Sequence, residues 1–342
     1  MLFKAALLAA LGASTLASPV ARSTSAPTFN YPGDAPYPMS AKKMASYIDC
    51  PSSFKPNQKI IALYPGTGST GQESWHAAYL ETLPANGFSN LCVMTFPNRT
   101  LGDAQDSGAL AAYSFHYISK LAGGKPITVI GHSQGNLNIQ WGLTFWPSTR
   151  AAKGGPVDQF ISLAGDFHGT TEGALACTSQ KITEGGCVPS VIQQTAGSNF
   201  LNALAKHGGT NALTNTTSIY TIEDDVISPE SPPSQATSRL GSTRGGKDLL
   251  VIAIQTPCPT SVSDHLLLLV NGPAFTIAKD ALVHGGVAKP SRFPANICLS
   301  TTQMDPNSLN TLKATFNDLQ AVATGDGIKL LKTEPPLKAY AK

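Results

Sequence analysis

The chain has 342 residues, enough for one large domain or two small ones and ample to bury a sizeable core without a metal or a covalent staple. Charged residues make up 13% and hydrophobic residues 42%, which excludes a solvated disordered chain and a coiled coil. The formal net charge is +3 with no basic run, so no nucleic-acid partner is expected.

Residues 1–17 read as a signal peptide, because Lys4 precedes the apolar stretch Ala5 to Leu11 and Thr15-Leu16-Ala17 offers small side chains at the positions a signal peptidase inspects. Cleavage is expected after Ala17, and Arg22, a lone basic residue, marks where a short pro-segment would end. A transmembrane anchor needs about 20 apolar residues. Leu249 to Ile254 and Leu266 to Val270 are both too short, so no anchor is expected. Residues 18–45 carry five prolines and no apolar period, which predicts an extended N-terminal arm.

Six cysteines behind a leader fit an oxidising compartment and three disulfides. Of the 15 connectivities, the simplest sequential set joins Cys50 to Cys92, Cys177 to Cys187 and Cys258 to Cys298. No Cys-x-x-Cys occurs, so no zinc site or redox dithiol is expected, and Asn98 and Asn215 each begin a glycosylation pattern.

From Lys59 onward, short apolar runs alternate with helix-length segments. The runs are Ile60 to Tyr64, Leu91 to Phe96, Ile127 to Ile130, Phe160 to Ala164, Ser218 to Ile222 and Leu249 to Ile254. Successive rather than alternating apolar residues mark strands covered on both faces. Leu110, Tyr113, Tyr117, Ile118 and Leu121 share one helical face, and Asn136 to Phe145 and Pro306 to Ala323 also read as helices. The pattern predicts an α/β fold with a mainly parallel sheet and helices on both sides, in one catalytic domain over residues 46–330 followed by a surface tail over 331–342.

The segment Pro126 to Leu137 places Gly131-His132-Ser133-Gln134-Gly135 between a buried strand and a helix, the context a nucleophile elbow demands. A sharp turn strains the serine backbone, and small residues two positions away on each side let strand and helix approach. The alternative is a chance match in a glycine-rich chain. Gly66-Thr67-Gly68-Ser69-Thr70-Gly71 also matches a dinucleotide fingerprint, but the next strand ends in Pro97-Asn98 where an acidic residue is wanted. The loop is better read as an oxyanion-hole donor, with Thr67 giving its N–H and hydroxyl and Gln134 its N–H.

A serine needs a histidine to take its proton and an acid to orient that histidine, in the order serine, acid, histidine. Glu223, Asp224 and Asp225 all follow a predicted strand, and pattern alone does not choose among them. His265 lies in a loop after the last strand, whereas His284 directly follows a helical stretch, so His265 is the expected base. His132 precedes the nucleophile and is expected to face away from the base, as a pocket or packing residue.

With these residues laid out, the chain resembles the Candida antarctica lipase B family of fungal secreted α/β-hydrolases. The likeness is carried by Tyr64-Pro65-Gly66-Thr67-Gly68, Ser133-Gln134-Gly135, Gln140-Trp141-Gly142-Leu143-Thr144-Phe145, Gln193-Gln194-Thr195 and Asp224-Asp225-Val226-Ile227, in that order between about residues 45 and 330. The resemblance implies an α/β-hydrolase fold, Asp224 as the triad acid, His265 as base, and Thr67 with Gln134 in the oxyanion hole. It implies Asp166 and Gln194 on the acyl side of the pocket, Val226 and Ile227 as its apolar wall, and disulfides from Cys50 to Cys92 and from Cys258 to Cys298. The family's tryptophan before the nucleophile is His132 here, its C-terminal cysteine pair is absent, and Cys177 and Cys187 appear within a segment, residues 173–188, that would form either a stapled lid or a decorative surface loop.

The expectation is a secreted, extracellular serine lipase or carboxylesterase, monomeric, acting on ester or lipid substrate at a lipid–water interface with no cofactor and no metal. The alternatives are a polyester or plant-surface ester hydrolase, an acyltransferase using the same site, and a hydrolase-fold binding module.

Overall fold

The computed structural model describes residues 26–171, 185–241 and 248–342. A seven-stranded sheet forms the centre, with strands β1 (Ile48–Asp49), β2 (Ile60–Tyr64), β3 (Asn90–Met94), β4 (Ile127–His132), β5 (Val157–Leu163), β6 (Asn215–Tyr220) and β7 (Leu249–Ala253). Their order across the sheet is β1-β3-β2-β4-β5-β6-β7, and every pairing is parallel except β1 with β3.

All five residues of β2 are buried because the sheet is covered on both sides. Ile61 and Leu63 join one core with Trp75 of α2 (Gly71–His76), Tyr79 of α3 (Tyr79–Ala85) and Phe275. Ile60, Ala62 and Tyr64 join the opposite core with Leu110 and Phe115 of α4 (Ala104–Leu121) and Ile139 and Leu143 of α5 (Gln134–Phe145). Burying each such Ile, Leu or Phe contributes roughly 1.5–3 kcal/mol. Helix starts carry their own signals: Asp103 accepts from the N–H of Gln105 to open α4, and Thr70 with Glu73 forms a reciprocal capping box at α2.

After β5 the chain forms α6 (Pro189–Gln194) and α7 (Asn199–Lys206), and after β7 it forms α8 (Gly272–His284). The predicted final helix is divided at Asp318, whose φ of −139° and ψ of 61° separate α9 (Pro306–Asn317) from α10 (Leu319–Gly325).

The two termini depart from expectation. Within the arm, Ala41–Ala45 is a short helix capped by Ser40, and Tyr37 stacks on Trp146 at 5.5 Å. The last stretch is not a surface tail. Leu331 pairs with Cys187, Glu334 accepts from the N–H groups of Asn199 and Phe200 at the start of α7, and the ring of Tyr340 packs against Phe145 and Trp146. Aromatic area and the orphan N–H groups of a helix start provide partners that no local period reveals.

Disulfides join Cys50 to Cys92 and Cys258 to Cys298, as expected. Cys187 is disulfide-bonded, while its expected partner Cys177 lies outside the described residues, as does most of the lid-like segment 173–188.

Candidate active site

Ser133 stands at the junction of β4 and α5 with φ 53° and ψ −132°, a strained conformation for a residue with a Cβ. The turn is held by the Ser133 N–H donating to the Leu163 carbonyl at 3.1 Å and by Asn136 Nδ2 donating to the same carbonyl at 2.8 Å. Glycine is required at both flanks: a Cβ at Gly135 would lie 2.4 Å from the Tyr64 carbonyl oxygen, and one at Gly131 would lie 2.5 Å from Asn136 Oδ1.

Asp224 follows β6 and His265 follows β7, so the sheet brings both to its carboxyl edge beside Ser133. Nδ1 of His265 is 2.9 Å from Asp224 Oδ2, and the two side chains are 1% and 0% exposed. Burial would raise the Asp224 pKa, but the His265 charge, the hydrogen bond to it and the N–H groups of Ile227 and Val226 hold it below the usual carboxylate value. Burial would lower the His265 pKa, and the Asp224 carboxylate outweighs it, leaving the imidazole above its ordinary value. Nε2 of His265 is buried at the cleft with no hydrogen-bond partner among the described residues, so the serine hydroxyl is not bonded to it in this state. Such bonds commonly tighten only with substrate.

The neighbouring acids both have work, which sequence reasoning missed. Asp225 Oδ1 accepts from the His265 N–H at 3.1 Å, and Glu223 Oε2 accepts from the Ser263 N–H at 3.1 Å, so they fasten the histidine loop. The run of acids after a strand was the only signal for this.

Thr67 and Gln134 flank Ser133. Gln134 is the first residue of α5, so its N–H has no helical acceptor and is free for an anion. The Thr67 hydroxyl is 2.8 Å from Gln134 Oε1, Gln194 Nε2 is 3.1 Å from the same oxygen, and Gln134 Nε2 donates to the Thr100 carbonyl at 3.0 Å. Gln194 thus steadies Thr67 and Gln134 from behind. Asp166 is fully buried with neither carboxylate oxygen bonded, and that burial pushes its pKa up to about 7.

The cleft is lined by Thr67, His132, Ser133 and His265 on its floor and by Leu266, Leu269, Leu312 and Phe316 as apolar wall and roof. Val226 and Ile227, expected as that wall, are not among the residues lining this space. Their N–H groups donate to Asp224 Oδ1 at 3.0 and 2.7 Å, so both residues take part in the turn that orients the acid. Leu312, Thr315 and Phe316 belong to α9, and the Phe316 ring centroid lies 6.0 Å from that of His265. Under this roof Ser133 is 2% exposed and the space wide enough for a water molecule is about 10 Å³.

His132 does not face away from the base. Its ring lies 4.7 Å from the His265 ring, and its Nε2 is 3.1 Å from the His265 carbonyl oxygen. Of the two glycosylation candidates, Asn98 is exposed, whereas the Asn215 side chain is engaged at the start of β6, donating to Asp158 O and accepting from the Asp248 N–H. No group of metal-ligating side chains occurs among the described residues, and no helix among them is long and apolar enough to cross a membrane.

A mostly parallel sheet with a strained serine between its fourth strand and the following helix defines an α/β-hydrolase fold. No family model matches the sequence. Among solved structures the chain is similar to Aspergillus fumigatus lipase B, with TM-score 0.78 and 29% identity over 91% of this chain and 74% of that one. Among curated proteins it is similar to lipase B of Pseudozyma antarctica, 31% identical over 229 residues. That match spans 66% of this chain and 61% of the relative, so less than two thirds of the relative's length is covered. The likeness to lipase B is thus shared by a curated relative and a solved structure.

Proposed function

We propose that this chain is an extracellular lipase or carboxylesterase that cleaves carboxylic esters through an acyl-enzyme. The observation that carries the reading is the strained Ser133 beside the buried His265–Asp224 pair in one apolar cleft. His265 Nε2 takes the Ser133 Oγ proton as that oxygen attacks the ester carbonyl, then gives it to the departing alcohol. Asp224 fixes the proton on Nδ1 and stabilises the imidazolium. The N–H groups of Thr67 and Gln134 receive the oxyanion, and each such donor is worth about 10²–10³ in rate. Water then attacks the acyl-enzyme with His265 again as base.

The likeness to two proteins named lipase B supports the substrate class, and the disulfides support secretion. The narrow, apolar, roofed cleft favours a lipid or small ester over a polymer chain lying in an open groove.

The test is hydrolysis of p-nitrophenyl esters from acetate to palmitate by the wild type and by Ser133→Ala. Turnover that disappears in the variant supports the reading, and its dependence on chain length separates lipase from short-chain esterase. Turnover that persists in Ser133→Ala overturns it.

A further inference from the structure

His132 occupies a position that the triad does not explain. It is 2% exposed, it lines the cleft beside Ser133, and its Nε2 lies 3.1 Å from the carbonyl oxygen of His265. A carbonyl only accepts, so Nε2 carries the proton and donates. In a neutral ring Nδ1 is then a bare acceptor. Burial, with the nearby His265 acting in the same direction, lowers the His132 pKa to about 3 and keeps the ring neutral wherever the protein works. Asp224 opposes this without reversing it.

Nδ1 faces Gly66 on the cleft wall: a Cβ built there would come within 3.1 Å of Nδ1 and 2.9 Å of Ser133 Cβ. Nδ1 has no hydrogen-bond partner among the described residues, so the cleft presents one acceptor that the protein does not use. Its side of the serine follows from chemistry. The leaving oxygen must sit within reach of His265, which protonates it, and the His132 ring packs against His265 with centroids 4.7 Å apart. The acceptor therefore serves the alcohol half of the ester.

We propose that His132 is a specificity-determining residue that selects esters whose alcohol carries a second hydroxyl beside the ester oxygen, the chemistry of partial glycerides and other polyol esters. The inference rests on the ester-hydrolase reading above. A hydroxyl there donates to Nδ1, whereas an alkyl carbon at the same place strips the acceptor of water and gives nothing back.

The experiment compares kcat/KM for 2-hydroxyethyl butanoate and its isostere propyl butanoate in the wild type, His132→Leu and His132→Asn. The wild type should favour the hydroxy ester by about fivefold, the value of one neutral hydrogen bond. The ratio should fall to about one in His132→Leu and persist in His132→Asn, whose Oδ1 sits where Nδ1 was. A purely structural role for His132 would slow both esters alike and leave the ratio unmoved, which overturns the proposal. A wild-type ratio near one overturns it without any variant and leaves the ester-hydrolase reading standing. Failure of the wild type to cleave either ester overturns both.

Discussion

The carboxylate of Asp224 and Nδ1 of His265 meet at 2.9 Å with both side chains shut away from solvent. A charge pair in such a place sets the pH at which the base becomes available, because an imidazole must be neutral to accept the serine proton.

The Asp224 carboxylate overcomes the effect of burial and holds His265 above the ordinary imidazole value of 6.5. The acid limb of kcat/KM should therefore lie above pH 6.5. In Asp224→Asn the largest charge opposing burial is gone and only the lesser pull of Asp225 and Asp166 remains, so the limb should move to lower pH while kcat falls by about 10⁴. A pH–rate profile on p-nitrophenyl butanoate measures both, and a limb that stays in place would remove Asp224 from this role.

Glu230 is 4% exposed, and burial pushes its pKa up to about 9. The geometry agrees. Ser238 Oγ lies 2.7 Å from the Gly165 carbonyl and 2.6 Å from Glu230 Oε1, and one hydroxyl proton cannot serve both, so the glutamic acid donates to the serine. The folded state binds a proton that the unfolded chain releases above its ordinary value of 4.5, so stability is full below pH 4.5 and is lost as pH rises toward 9. Glu230→Gln supplies a neutral donor of the same shape. Thermal melts should show the variant level with the wild type at pH 4 and more stable at pH 8; equal melting temperatures at both would refute a neutral Glu230.

The roof of the cleft gives a third prediction. With Ser133 2% exposed and Phe316 over His265, a substrate reaches the serine only when α9 moves or its side chains part. The helix is tied at its start, where Asp305 accepts from Asn307 and Ser308 and donates its own N–H to the Ala77 carbonyl at 2.8 Å. Near its far end Phe316 neighbours His265, a contact that Phe316→Ala removes. Labelling of Ser133 by a small fluorophosphonate should accelerate several-fold in Phe316→Ala. An unchanged labelling rate would mean that Phe316 does not limit access.

Much of this was legible in the residues themselves. Ile60–Tyr64 begins and ends where its apolar run does, since a strand buried on both faces must be apolar throughout. The serine turn was equally plain, because Gly131 answers to Gly135 and Asn136 four and five residues on, and Gly135 to the backbone at the end of the neighbouring strand. Pairing Asp224 rather than Asp225 with His265 was not decided by pattern; it came from family resemblance, and the contact depends on where two loops cross 41 residues apart.

The amino-acid sequence by itself determined the layered α/β architecture and the strained turn at Ser133, because these follow from local periodicity and steric demand. Only the tertiary structure decided what closes the cleft, what Val226 and Ile227 do, and where His132 points. Leu312 and Phe316 lie nearly two hundred residues beyond Ser133 in the chain, and their apolar side chains are as consistent with any core as with this roof. Contacts of that kind are chosen by the packing of whole elements against one another, which no short stretch of sequence encodes.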